Sequence, residues 1–200
     1  MTVAERLNRE RLAERAGELA DQIGLEEVTF TRLARTLRVA RPGLYRHAAD
    51  IEDLRRAVGQ QAIGALRTEL SRATSGLAGA EALAAMAGTI RGWAIRHPGR
   101  YAALQIAPDL NDELGIGAAD RLLGVIASGL RAYALEGDDL TDAIRLVRST
   151  VHGFIALELN DPLGYGRPRR PGGSAVPAVN MRGSWVCSST ISAMLTTRRS

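Results

Sequence analysis

Residues 29–54 read TFTRLARTLRVARPGLYRHAADIEDL, and this stretch decides the fold. Thr29 is a good helix N-cap, and Leu33, Ala34 and Leu37 follow it as one apolar face. Arg38, Val39 and Ala40 make a tight connection. A third short helix is expected from about Arg41 to His47, with Pro42 in its first turn, where a missing N–H costs nothing. Asp50 then caps a longer helix that continues to about Leu70, and Glu52 and Asp53 in its first turn suit the helix dipole. From Val28 to Ala49 there are five arginines (Arg32, Arg35, Arg38, Arg41, Arg46), one histidine and no carboxylate. Phosphates repel carboxylates, so a short, tightly linked helix pair without acids is what a DNA surface demands. Charge alone also fits a basic solvated face on an ordinary helical bundle.

Working outward, Leu12, Ala16, Leu19, Ala20 and Ile23 recur at helical spacing, and Gly24 stops that helix. Beyond Leu70, Thr74-Ser75-Gly76 reads as a loop. Ala80 to Arg96 reads as one helix, broken by His97-Pro98-Gly99. A short helix is expected around Tyr101 to Gln105. Another is expected from about Gly117 to Leu135, with Leu122, Ile126, Leu130 and Tyr133 on one side and Gly137 as its end. A last helix, from about Leu140 to Leu159, carries the stripe Leu140, Ile144, Val147, Val151, Phe154 and Ile155. No alternating strand pattern of useful length occurs, so the fold class is all-α. After Asp161 the chain turns rich in Pro, Gly, Ser and Arg without periodicity, which reads as a poorly ordered tail.

The Thr cap, the Leu-Ala-x-x-Leu-x-Val core, the proline at the third helix, Leu44-Tyr45-x-His47 and the capped fourth helix together resemble the signature of the tetracycline-repressor (TetR) family, over about residues 12–57. The resemblance implies a three-helix helix-turn-helix domain whose DNA-contacting residues are Thr29, Thr31, Arg32, Arg41, Pro42, Gly43, Tyr45 and His47. Thr29 and Thr31 sit where the second helix meets the DNA backbone. Arg41, Pro42 and Gly43 start the recognition helix, where Gly43 allows close backbone approach and Arg41 is placed to fork to a guanine. Tyr45 and His47 match phosphate-touching positions, so Tyr45→Phe is expected to weaken all DNA sequences alike. The chain departs from the family pattern in four places. Arg38 stands where Gly is usual, Ala40 where Ser is usual, Ala48 where an aromatic is usual, and Ile51 where Lys is common.

Arg96-His97-Pro98 with Tyr101, and RSTVHGFIALE at 148–158, are similar to a TetR subgroup marked by a C-terminal His-Gly (WHG) pattern. That implies a larger helical ligand-binding and dimerisation domain, with a small-molecule cavity and a two-fold interface built from the last two helices. The ligand-contacting set is Met86, Trp93, Tyr101, Tyr133, His152 and Phe154, chosen for size and polar tips. Plain core packing is the alternative at each. Gly153 in mid-helix suggests close approach by another helix.

The expected division is 1–50 for the DNA-binding domain, 51–161 for the ligand-binding and dimerisation domain, and 162–200 for an irregular tail. Nothing after Asp161 supplies the final amphipathic helix of such a dimer, which suggests that the tail is a shifted reading frame. All 26 basic residues are arginine, and the net charge is +4. Residues 1–72 hold 13 arginines against 11 acids, residues 73–159 hold 7 against 10, and residues 160–200 hold 6 against one. Cys187 is the single cysteine, which excludes an internal disulfide and a Cys-cluster metal site. There is no apolar leader at the start and no apolar run long enough to span a membrane, so a cytoplasmic, nucleoid-associated protein is expected. Three histidines, with no phosphate-cradling glycine loop and no nucleophile elbow, argue against an enzyme and against a cofactor. The expected partners are a palindromic double-stranded operator, a small hydrophobic or amphipathic effector and a second copy of the chain. The alternative is an all-helical interaction module that has lost operator binding.

Overall fold

The apolar spacing of residues 12–23 becomes helix α1, Arg9–Ile23. Asn8 caps it by accepting from the Arg11 amide at 2.8 Å, and Gly24, at φ 89°, ends it. These elements come from a computed structural model that describes residues 7–106 and 112–160. Every regular element among the described residues is helical. The tail expected at 162–200, Cys187 and the shifted-frame idea lie outside them.

Helix α2, Phe30–Leu37, starts at Thr29, whose hydroxyl accepts from the Arg32 amide at 3.2 Å. The third short helix is a 3-10 helix, Arg41–Arg46. Six residues that include Pro and Gly, entered from Ala40 without a side-chain cap, favour the tighter i to i+3 pattern. Helix α3, Ile51–Ala73, is entered through a reciprocal arrangement. Asp50 Oδ1 accepts from the Asp53 amide at 2.7 Å, and the Asp53 carboxylate accepts from the Ala49 amide at 2.9 Å.

Helix α4 is Gly79–Arg96. The short helix expected at 101–105 is α5, Pro98–Ala103. Pro98 both breaks α4 and starts α5, since its missing N–H is harmless there. Helix α6, Glu113–Leu130, begins earlier than its apolar spacing suggests, because Asp112 Oδ1 caps it through the Gly115 amide at 3.0 Å. A 3-10 turn, Arg131–Tyr133, follows and ends at Ala134 in the left-handed region. Gly137, expected to end that helix, instead begins α7, Gly137–Asn160.

The described residues form two compact units. The first comprises 7–68 with 93–106 and 112–122, and the second 69–92 with 123–160. In the first, Leu12, Leu33, Leu44 and Leu54 are fully buried together with Val28, Phe30 and Val58. Each such leucine contributes roughly 1.5–3 kcal/mol, against about 0–1 kcal/mol for a surface ion pair, so the apolar seam sets the arrangement of these helices. Helix α5 lies very close to α1. A Cβ on Gly99 would run into the Ala20 backbone, and Gly17 lies under the Arg100 side chain. In the second unit, Met86, Leu83, Ile126, Leu130, Val147, Val151 and Ile155 are buried. Arg91 of α4 makes a two-pronged ion pair with Glu158 of α7. The close approach expected at Gly153 is not made among the described residues, where Gly153 is exposed and a Cβ on it would meet nothing within 4 Å.

Candidate nucleic-acid interface

The eight residues expected to face DNA lie on α2 and the 3-10 helix, counting the caps Thr29 and His47, in the first unit. Thr29, Thr31, Arg32, Arg41, Pro42 and Tyr45 are exposed, while Gly43 and His47 are half-buried. Buried Phe30, Leu33 and Leu44 form the floor that holds them. The space beside Gly43 is open, since a Cβ there would meet nothing within 4 Å. Its φ is not in the left-handed region, so neither packing nor backbone conformation requires glycine at this position.

The five arginines of this face have different surroundings. Arg32 pairs with Glu27 at 2.8 Å, both side chains being well exposed. The acid-free stretch therefore begins one residue after a carboxylate that folds back onto it. Arg41 Nη2 donates to the Tyr45 hydroxyl at 3.0 Å. The Tyr45 ring in turn meets Phe30 edge-on, with centroids 4.8 Å apart and planes at 66°. Arg35, Arg38 and Arg46 are exposed and have no carboxylate within ion-pair distance among the described residues. Arg38 is also the left-handed residue that ends α2, at φ 55° and ψ 41°.

Two ties that reach beyond the quoted motif hold the helices of this unit together. Arg9 of α1 grips Asp53 of α3 with both guanidinium prongs at 2.7 Å, and donates to the His47 carbonyl at 3.2 Å. The Arg9 guanidinium and the Ala49 amide hold the Asp53 carboxyl at about 2, below its ordinary 3.8. Asp21 of α1 accepts from the Arg100 amide at 2.9 Å and faces His97 Nδ1 at 3.2 Å, which joins α1 to the start of α5. Neither tie was apparent in the sequence, because partners 44 and 79 positions apart leave no periodic trace.

The ligand candidates are spread over both units. Trp93 and Tyr101, in the first, are buried, and the Trp93 ring lies 5.1 Å from the His97 ring. In the second, Met86 is buried and Tyr133 half-buried. His152 and Phe154, expected to line a cavity, are exposed positions on α7 between buried Val151 and Ile155. The helical phase explains this: α7 buries Ala143, Val147, Val151 and Ile155 at four-residue steps, which leaves 152–154 on the outside. Among the described residues no group of His, Cys, Asp and Glu is arranged to hold a metal ion. No described helix is long and apolar enough to cross a membrane.

Residues 83–175 match the family profile described as "Tetracyclin repressor-like, C-terminal domain". A helix-turn-helix transcriptional regulator of Mycobacterium tuberculosis is 36% identical over 155 residues, covering 77% of this chain and 71% of that protein. Among solved structures, a protein of unknown function from Rhodococcus sp. RHA1 superposes with a TM-score of 0.66 at 18% identity, covering 96% of each chain. A TetR variant from Acinetobacter baumannii AYE, solved in complex with minocycline, gives 0.60 at 17% identity over 96% of this chain and 93% of that one. The helix-turn-helix built on Thr29–Leu54, the matching C-terminal profile and the mycobacterial relative converge, and the chain belongs to the TetR family of helix-turn-helix transcriptional regulators.

Proposed function

We propose that this regulator is a ligand-responsive, sequence-specific repressor that binds a palindromic operator as a homodimer. The observation that carries the reading is the exposed surface at residues 29–47. It presents Arg35, Arg38, Arg41 and Arg46 without a carboxylate partner among the described residues, beside a glycine whose small size the described fold itself does not need. A glycine with open space beside it permits a phosphate or base edge to approach the backbone. In a dimer, two such surfaces about one helical turn apart, roughly 34–36 Å, meet successive major grooves.

Two further observations support the finer parts of the reading. Phe154 and Leu157 of α7 are 51% and 65% exposed, which suits a helix face that a second copy covers. The minocycline complex of a protein with the same fold supports an effector site in the helical part of this one. An effector that prefers one arrangement of the two recognition surfaces shifts the population away from the DNA-bound spacing.

A gel-shift assay against the promoter of the protein's own gene tests the reading. A shift that survives non-specific competitor, and weakens steeply as salt rises, is expected. Failure to shift specifically at low salt overturns it in favour of an interaction module that no longer binds an operator.

A further inference from the structure

Each of the five arginines on the DNA-facing surface stands in one of three electrostatic situations. Arg32 is neutralised by Glu27 at 2.8 Å. Arg35, Arg38 and Arg46 have no carboxylate partner among the described residues, and long unpaired side chains sample many rotamers. Arg41 alone is held by a neutral group, the Tyr45 hydroxyl at 3.0 Å, with its guanidinium carbon 5.8 Å from the Tyr45 ring centroid. A neutral acceptor fixes orientation without cancelling charge. One of the five guanidinium N–H donors is engaged and four stay free for a ligand.

The tyrosine is itself held. Its ring meets Phe30 edge-on at 4.8 Å, and Phe30 is buried at the first position of α2. A line of contacts therefore runs from the core through Phe30 and Tyr45 to Arg41, at the first residue of the 3-10 helix. Next to Arg41, Pro42 restricts the backbone, and Gly43 leaves open space.

We propose that Tyr45 is a positioning residue for sequence readout: it holds the Arg41 guanidinium in the orientation from which that group reads a base edge. The proposal rests on the DNA-binding reading above and replaces the expectation that Tyr45 serves the phosphate backbone alone. While it accepts from Arg41, the Tyr45 hydroxyl keeps its own hydrogen for a phosphate oxygen. Arg35, Arg38 and Arg46 then supply attraction that does not depend on sequence, and Arg41 supplies discrimination.

The test is selection of bound duplexes from a double-stranded DNA library with a randomised core, using the full chain, Arg41→Ala, Tyr45→Phe and the double variant. The unaltered chain is expected to enrich a palindrome. Arg41→Ala is expected to lose roughly five- to a hundredfold preference at one base pair of each half-site. Tyr45→Phe keeps the ring against Phe30, and thermal unfolding checks that it folds. It is expected to flatten preference at that same base pair by roughly two- to tenfold, as expected for the loss of one exposed hydrogen bond from a guanidinium to a neutral hydroxyl. It should add no further loss of preference in the Arg41→Ala background. If Tyr45→Phe weakens binding uniformly and leaves the base preference intact, the positioning role is overturned and only a phosphate contact remains. If the unaltered chain enriches no sequence, the DNA-binding reading itself fails.

Discussion

Arg38 adopts the left-handed backbone region, at φ 55°, where glycine is at ease and a side chain bearing Cβ is strained by about 1 kcal/mol. The family usually places glycine there. The exchange puts a positive charge on the candidate DNA-binding surface at the expense of the turn. Arg38→Gly is therefore expected to stabilise the chain by about 1 kcal/mol in urea unfolding, while weakening the gel shift at low salt. Asp53 makes the opposite kind of contribution. Its carboxyl is lowered from 3.8 to about 2 by Arg9 first and the Ala49 amide besides. A depressed carboxyl stabilises the fold fully above its unfolded value, near 4, and loses that contribution as pH falls through about 2. Asp53→Asn is expected to cost about 1–2 kcal/mol at pH 7, with the gap to the unaltered chain closing between pH 4 and 2. Calorimetry across that range checks both the size and the sign.

Helices α1 and α5 approach each other along small residues, with Gly99 against the Ala20 backbone. A methyl group there has no flexible neighbour to displace, since the contact is backbone. Gly99→Ala is expected to lower the melting temperature by many degrees or prevent folding. Gly153→Ala, where nothing is near, is expected to raise helix stability by up to about 1 kcal/mol in the isolated chain. This contrast shows what was legible in the sequence. Thr29, Asp50, Pro42 and the apolar steps of α1 and α2 act within a few positions of themselves, and the sequence marks them plainly. Gly99 gave only a break signal, because its reason lies in a residue 79 positions away. The 3-10 geometry of residues 41–46 and the early start of α6 at Asp112 depend on hydrogen bonds that periodicity does not register. At the candidate interface, the exposure of Arg41 and Tyr45 was expected from the motif, but their mutual bond was not. Four-residue spacing on a helix allows such a bond, and only the side-chain positions reveal it. For the ligand set, size and polarity selected His152 and Phe154, yet helical phase puts both outside.

At the scale of the chain, arginines outnumber acids by two over residues 1–72 and by five over 160–200, and acids are in excess between residues 73 and 159. The unit that carries the helix-turn-helix extends well beyond residue 50, because α3 continues its core with Leu54, Ala57 and Val58 and residues 93–106 and 112–122 belong to the same unit. Under the dimer proposal, the exposed Phe154 and Leu157 of α7 are covered by a second copy. The paired change Phe154→Asp and Leu157→Asp is then expected to convert the dimer to monomer in sedimentation, with helix content unchanged. Loss of the dimer in turn removes the two-site engagement that a palindrome offers. An unchanged sedimentation coefficient places the interface elsewhere. The most direct measurement is an NMR titration of the full chain with a duplex from its own promoter, following backbone amides and arginine Nε–H signals. Shifts centred on residues 29–47, including the Nε–H of Arg41, are expected. Unmoved signals there, or shifts confined to α6 and α7, contradict the assignment of this surface to DNA.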